Sequence, residues 1–257
     1  MPLYPMVIIK KALGLDALRM AAVGDIHCPR YLELLQESLR KASDFELMLL
    51  AGDLVLRNDS SQMPRLLQTI RDFYKGPIIA CLGNEEFDES LQAYRKFKEV
   101  LWLHDEAEVL KIGNSILGIV GSRGSLDRPT FWQRKNVRGI WETYSKRLRR
   151  IDDLLEDMKA KKPDFMVVLT HYAPTYKTLL GEKEGAWPEM GCKGFETLIA
   201  KHQPDAWIHA HGHASIQHEA FIGRTIIVNA SLPARRQISI LEFPRDQVAS
   251  KSSYAKV

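Results

Sequence analysis

Short apolar runs alternate with longer amphipathic stretches along the chain, the pattern left by strands interleaved with helices. The apolar runs predict strands over 19–24, 47–52, 77–82, 108–112, 115–121, 165–170, 206–210, 216–221, 225–229 and 237–243. Helical periodicity predicts helices over 31–43, where Leu32, Leu34, Leu35 and Leu39 fall on an apolar stripe, and over 63–74 and 86–100. The first half therefore reads β-α-β-α-β-α, which implies a mostly parallel sheet with helical crossovers. After Ile112 the grammar changes. Gly113-Asn114 and Gly223-Arg224 are hairpin signals, and the chain from Ile216 onward is strand-rich, so a second, more antiparallel sheet should pack on the first. Between the hairpins, 132–162 reads as one or two helices, bent or broken near Gly139 and ended by Pro163. No internal repeat, low-complexity tract or linker interrupts the pattern.

Composition sharpens this picture mainly by exclusion. With 257 residues, 45% hydrophobic against 26% charged, and only 16 Gly and 12 Pro, the chain can bury a large core and is neither disordered nor fibrous. One domain over residues 1–257 is expected, with 1–18 an N-terminal extension and 245–257 a C-terminal tail. The net charge of +4 suits an anionic substrate without identifying one. Three separated cysteines, Cys28, Cys81 and Cys192, form no C-x-x-C pair and point to a reducing, cytoplasmic setting. The apolar stretch at 6–9 is short, precedes two lysines and lacks a small-residue cleavage site, so it is not expected to be a signal peptide. No apolar run approaches the ~18 residues of a membrane span.

Five polar clusters each end a predicted strand, where side chains of an open α/β sheet converge on a crevice. They are Gly24-Asp25-Ile26-His27, Gly52-Asp53, Gly83-Asn84-Glu85-Glu86, Thr170-His171-Tyr172 and His209-Ala210-His211-Gly212-His213. Taken singly, a Gly-Asp is more often a turn and helix cap, and a lone His171 a hydrogen-bonded polar residue. The alternating histidines of the last cluster share one face of an extended segment, where metal binding competes evenly with packing. Taken together, the clusters supply enough imidazole and carboxylate for two divalent ions, with Asp53 able to bridge them.

In this order the motifs resemble the calcineurin-like metallophosphoesterase family, whose pattern runs D-x-H, G-D, G-N-H-D/E, H and G-H-x-H. The resemblance extends from Asp25 to Asn229, about four fifths of the chain. With the strand pattern, it implies a four-layer α/β/β/α sandwich of two mixed sheets flanked by helices. It further implies one ion held by Asp25, His27 and His213, a second held by Asn84, His171 and His211, and Asp53 shared. Reading Gly212-His213-Ala214-Ser215 as the last motif would keep its glycine but put Ser215 where an imidazole is needed. Ala210-His211-Gly212-His213 keeps both imidazoles, and His209 is then a structural histidine one position off the ligand face. Two ions so placed would activate a bridging water for in-line attack on phosphorus. No serine or cysteine nucleophile is required, and Cys28, beside His27, reads as packing.

Glu85 stands where the family has a histidine that assists the leaving group. Such help is worth roughly 10²–10⁴-fold, and Glu85 either substitutes for it as an acid or holds a ligand in place. Arg123, in the loop after 115–121, is a candidate phosphate contact or a solvated loop residue. The stripe Arg134, Lys135, Arg138, Lys146, Arg147, Arg149 and Arg150, interleaved with Trp132, Trp141 and Tyr144, could attract nucleic acid, but is better read as a solvated face or subunit contact. The expected protein is thus a cytoplasmic metal-dependent phosphoesterase acting on small mono- or diesters. Manganese or iron is favoured, with zinc the alternative, and a homo-oligomer stays open. Two rival readings are a phosphoesterase-like scaffold that has lost catalysis and a nuclease using the basic helix.

Overall fold

Alternating side chains divide the buried strands between two cores. In the computed structural model, which describes residues 17–245, β1 (Ala17–Val23), β2 (Leu47–Ala51) and β3 (Ile78–Cys81) lie parallel and adjacent. Leu18, Met20, Leu47, Leu49 and Ile79 face one way, whereas Ala21, Val23, Met48, Leu50 and Ile78 face the other. The second set packs on helices α1 (Leu32–Lys41) and α2 (Met63–Arg71) through Leu35, Leu39, Leu66 and Ile70. The first set meets the inner face of another sheet.

That sheet is built from β5 (Glu106–Ile112), β6 (Ser115–Gly121), β7 (Phe165–Leu169), β8 (Ala206–His209), β9 (Glu219–Ile222) and β10 (Thr225–Asn229), in the order β5-β6-β7-β8-β10-β9. Leu117, Ile119, Val167, Leu169, Ile208 and Val228 line its inner face. Val120, Val168, Trp207 and Ile227 point outward onto α5 (Ile140–Ala160) and α6 (Gly194–His202), meeting Ile151, Leu155, Phe195 and Ile199. The result is the expected four-layer α/β/β/α sandwich. Both hairpin turns fall where the sequence placed them, with Gly113 and Gly223 at φ 57° in the left-handed region that glycine tolerates.

Three expectations need correction. The second sheet is parallel through its centre, with antiparallel partners only at its edges β5 and β9. The last strand, β11 (Ser239–Pro244), does not join it but pairs antiparallel with β1, closing the edge of the first sheet. The helix expected over 86–100 shrinks to a 3-10 turn and the single turn α3 (Leu91–Tyr94), and Val100–Trp102 forms β4 beside β3. Phe87 is extended, at φ −77° and ψ 147°, because the chain on either side serves the loop described below. The helical segment 132–162 does break where expected: α4 (Phe131–Asn136) and α5 are separated at Gly139, φ 73°. The expected N-terminal extension and C-terminal tail lie outside the described residues, apart from positions 17, 18 and 245.

The inter-sheet core should be the most sensitive to volume. Leu49→Ala, at a fully buried position between the sheets, is expected to cost about 2–5 kcal/mol in chemical denaturation. A loss below about 1 kcal/mol would mean that the two sheets are loosely packed.

Candidate metal centre

The parallel strands of both sheets end at the same edge, so the loops after β1, β2, β3, β7 and β8 meet there. Backbone hydrogen bonds lace the first two loops together: Asp25 N–H donates to the Gly52 carbonyl at 3.0 Å and His27 N–H to the Asp53 carbonyl at 2.9 Å. Asp25, His27, Asp53 and His211 all have positive φ, between 42° and 69°. A left-handed conformation costs a non-glycine residue on the order of 1–3 kcal/mol and persists where the surroundings over-determine it. Glycine is needed next to them, since a Cβ on Gly83 would overlap the Asp53 carboxylate and backbone nitrogen.

Two donor groups result. Asp25, His27 and His213 each present a ligand atom within 4.8 Å of the others, and Asp53, His171 and His211 do the same. Asp53 lies between them, with Oδ2 3.8 Å from His27 Nε2 and Oδ1 3.5 Å from His171 Nε2. Asn84 joins the second group, its Oδ1 2.9 Å from His171 Nε2. The imidazoles of His27 and His213 have centroids 5.2 Å apart, and those of His171 and His211 4.9 Å. All seven residues singled out as ligands therefore converge on one place.

The electrostatics fit cations. Burial lowers the His211 pKa to about 4 and carries His171 well below the usual imidazole range, so both rings are neutral and have a free lone pair at neutral pH. Burial likewise lowers His27. Burial pushes Asp53 well above the usual carboxylate range, and the charges of Glu86 and Asp25 push it further. Asp25 and His213 are the exceptions: burial would lower His213, but Asp25 raises it, and burial would raise Asp25, but His213 and His171 hold it well below. Its Oδ1, although 3.3 Å from His213 Nε2, makes no hydrogen bond, nor does either ring nitrogen of buried His27. Buried carboxylates crowded together with unpartnered donor atoms are costly without a compensating positive charge, and bound metal ions supply one.

Glu86 is the residue that motif reasoning passed over. Its buried carboxylate accepts four backbone N–H groups: Leu54 (2.7 Å) and Val55 (3.1 Å) on Oε1, Asp53 (2.9 Å) and Gly83 (2.7 Å) on Oε2. Burial raises its pKa, while these bonds pull it down. It occupies the fourth place of the G-N-H-D/E pattern, which was its signal in the sequence. Asn229, at the end of β10, is a second such residue, donating from Nδ2 to the Gly212 carbonyl at 2.9 Å and so holding the loop between His211 and His213.

Other expected roles sort out by contact. Glu85 N–H donates to Asp53 Oδ1 at 2.8 Å, and the Glu85 carboxylate accepts the Arg57 N–H at 2.5 Å. The Arg123 guanidinium is held by Asp88 at 2.7 Å and by the Glu86 carbonyl, and it lines a cavity together with Asn84, Phe87 and Trp132. His209 sits in the core, bonded to Thr178 Oγ1 at 2.8 Å, and Ser215 Oγ donates to the Thr178 carbonyl at 2.8 Å. Cys28 is buried in the helix-side core of the first sheet. Of the basic stripe, Arg147 is buried on Asp105 at 3.0 Å and Lys146 pairs with Glu142 at 2.8 Å. Among the described residues, no helix is long and apolar enough to cross a membrane.

A family model described as calcineurin-like phosphoesterase matches residues 18–215. Among solved structures, the protein TT1561 of Thermus thermophilus is 17% identical, with a TM-score of 0.53 over 88% of this chain and 99% of its own. A Staphylococcus aureus protein provisionally assigned as a 5'-nucleotidase, solved with alpha-ketoglutarate, is 14% identical, with a TM-score of 0.54 over 91% of this chain and 58% of its own. At such identities the likeness is one of fold. A comparison with curated protein sequences gives no match.

Two outcomes follow from these contacts. Glu86→Gln presents only one accepting oxygen to four N–H donors, so it should lose roughly 2–4 kcal/mol of stability and weaken metal affinity, read by denaturation and metal titration. Unchanged affinity would separate Glu86 from the centre. His209, buried and neutral with its pKa lowered to about 4, takes up a proton near 6.5 only when the chain unfolds. Its contribution to stability is therefore complete above about pH 6.5 and falls as pH drops toward 4. Over that window the metal-free protein should lose up to about 1.4 kcal/mol per pH unit more than His209→Gln. Parallel stability curves would show a solvated ring.

Proposed function

The chain belongs to the calcineurin-like phosphoesterase family, and from that premise we propose that it hydrolyses phosphate mono- or diesters at a two-ion centre. One ion is held by Asp25, His27 and His213, the other by Asn84, His171 and His211, with Asp53 shared. The observation that carries the reading is the presence of two separate donor groups on the two sides of one buried carboxylate. When bound, the ions supply Lewis-acid stabilisation of charge on the phosphoryl oxygens and lower the pKa of water toward neutrality. Mixed imidazole and oxygen donors favour manganese or iron, with zinc the alternative.

The chain's own residues do the rest. Asp53 and Asp25 carry the negative charge that retains cations, and neutral His171 and His211 add donors without further charge. Glu86 and Asn229 fix the loops so that the donors stay aimed while substrate exchanges. Glu85 acts as a positioning residue, since its N–H orients Asp53 and its carboxylate is engaged by Arg57. That engagement also favours one rival reading, a metal-binding scaffold without turnover.

Reconstitution with Mn²⁺ or Fe, with metal analysis and assays on p-nitrophenyl phosphate and its diester, tests the reading. About two ions per chain and turnover of one ester class are expected. Asp53→Asn should diminish both ions and reduce turnover by at least roughly 100-fold, whereas substitution of His211 or His213 should each impair a different ion. A fully metallated protein that hydrolyses neither ester, but gains activity on Glu85→His, would instead establish the scaffold.

A further inference from the structure

A cleft of about 340 Å³ opens beside the second donor group, with Asn84 and His211 at its inner end and Phe87, Trp132 and Tyr172 among its walls. Its volume lies within the range of small-molecule sites. The Tyr172 ring meets the His211 ring at 5.1 Å and 73°, so the aromatic wall begins directly at a candidate ligand. Further out, Phe87 is 48% and Trp132 61% exposed. Single exposed aromatics are ordinary, but two on the wall of a cleft that reaches a charged centre are not scattered surface.

Hydrogen bonds fix the backbone that carries each of them. Thr130 caps α4 reciprocally with Gln133: Oγ1 accepts the Gln133 N–H at 3.2 Å, and Gln133 Oε1 accepts the Thr130 N–H at 2.8 Å. Gln133 Nε2 donates to Tyr172 Oη at 3.4 Å, tying the helix that carries Trp132 to the cleft floor. Across the cleft, Phe87 N–H donates to Asn58 Oδ1 at 3.2 Å. Aromatic faces presented to solvent recognise flat π-systems by stacking.

We propose that this cleft is the leaving-group subsite and that it selects phosphate esters whose alcohol carries a planar aromatic group, either a nucleoside or a simple aryl. The proposal rests on the phosphoesterase reading for its orientation, because the phosphoryl end must face Asn84 and His211.

The test compares kcat/KM of the metal-loaded protein for adenosine 5'-monophosphate, phenyl phosphate and glycerol 2-phosphate. A preference for the aromatic esters over the glycerol ester is expected. Trp132→Ala and Phe87→Ala should each cut that ratio roughly tenfold, mostly through KM, in keeping with the loss of a stacking partner. Trp132→Phe should retain most of it, and Phe221→Ala, on an exposed aromatic outside the cleft, should leave it unchanged. A ratio near one, or one that neither cleft substitution alters, overturns the proposal. Calorimetric titration of the metal-free protein with adenosine and with phenol reads the subsite without turnover. Binding of either that is lost in Trp132→Ala supports the cleft, and the tighter of the two identifies the source of the aromatic group. Binding of neither overturns the proposal. If no ester is hydrolysed, the phosphoesterase reading fails, while the titration still decides whether the cleft takes an aromatic ligand.

Discussion

The buried Glu86 carboxylate and its four backbone N–H donors are the interaction on which the centre depends. Loops after parallel strands have no ladder partners of their own, and buried N–H groups left unpaired would cost about 1–3 kcal/mol each. Glu86 satisfies Asp53, Leu54 and Val55 from the loop after β2 and Gly83 from the loop after β3 with one side chain. The two loops are thereby fixed to each other, and Asp53 and Asn84, which they carry, are brought to one edge. This also explains why the chain beyond Glu86 is not the regular helix its periodicity suggests. A residue whose side chain must point back into the preceding loop cannot also begin an amphipathic helix facing the core.

Charge and strain have the same origin. Asp25, Asp53 and Glu86 are all buried, and burial and mutual repulsion drive Asp53 upward, whereas His171 and His211 are driven to the neutral state. The same segments hold Asp25, His27, Asp53 and His211 in left-handed conformations. Neither feature stabilises the metal-free fold. The charge states become favourable once cations occupy the donors, because neutral imidazoles and ionised carboxylates are the forms that ligate. The two sheets behind the site, with their well-packed inner faces, supply the stability that offsets this local cost.

How much of this was legible in the sequence follows from the range of each interaction. The strands of both sheets could be read because a buried parallel strand needs a continuous apolar run, as in Leu47–Ala51 and Phe165–Leu169. The residues that converge at the candidate centre could be read because each follows such a run. β11 was misplaced because its partner is β1, more than 200 positions away, and local patterning carries no information on which sheet a late strand joins. For Glu86 the pattern marks the position but not the role, and for both Glu86 and Asn229 the role lies in contacts with backbone atoms of other loops, which have no residue type to recognise. Arg123 was set beside a phosphate by its loop position alone. Its guanidinium is also held by Asp88 and the Glu86 carbonyl, partners that only the folded chain brings near.

Position 85 links the centre to the cleft. Arg57 is left-handed, at φ 52° and ψ 42°, and its N–H points at the Glu85 carboxylate. Adjacent glutamates thus fasten the same two loops, Glu86 from inside and Glu85 from the cleft side. A histidine is the family's group for protonating a departing alkoxide, whereas the Glu85 carboxylate has one of its two oxygens taken up by the Arg57 N–H at 2.5 Å. Where acid assistance is weakened, leaving groups that depart as stabilised anions lose least. A phenol ionises near pH 10, far more readily than an aliphatic alcohol, so weakened acid assistance costs an aryl ester much less than an alkyl one. Within the proposed aromatic class, the chemistry at position 85 therefore favours simple aryl esters over nucleosides, whose scissile oxygen is borne by a sugar carbon.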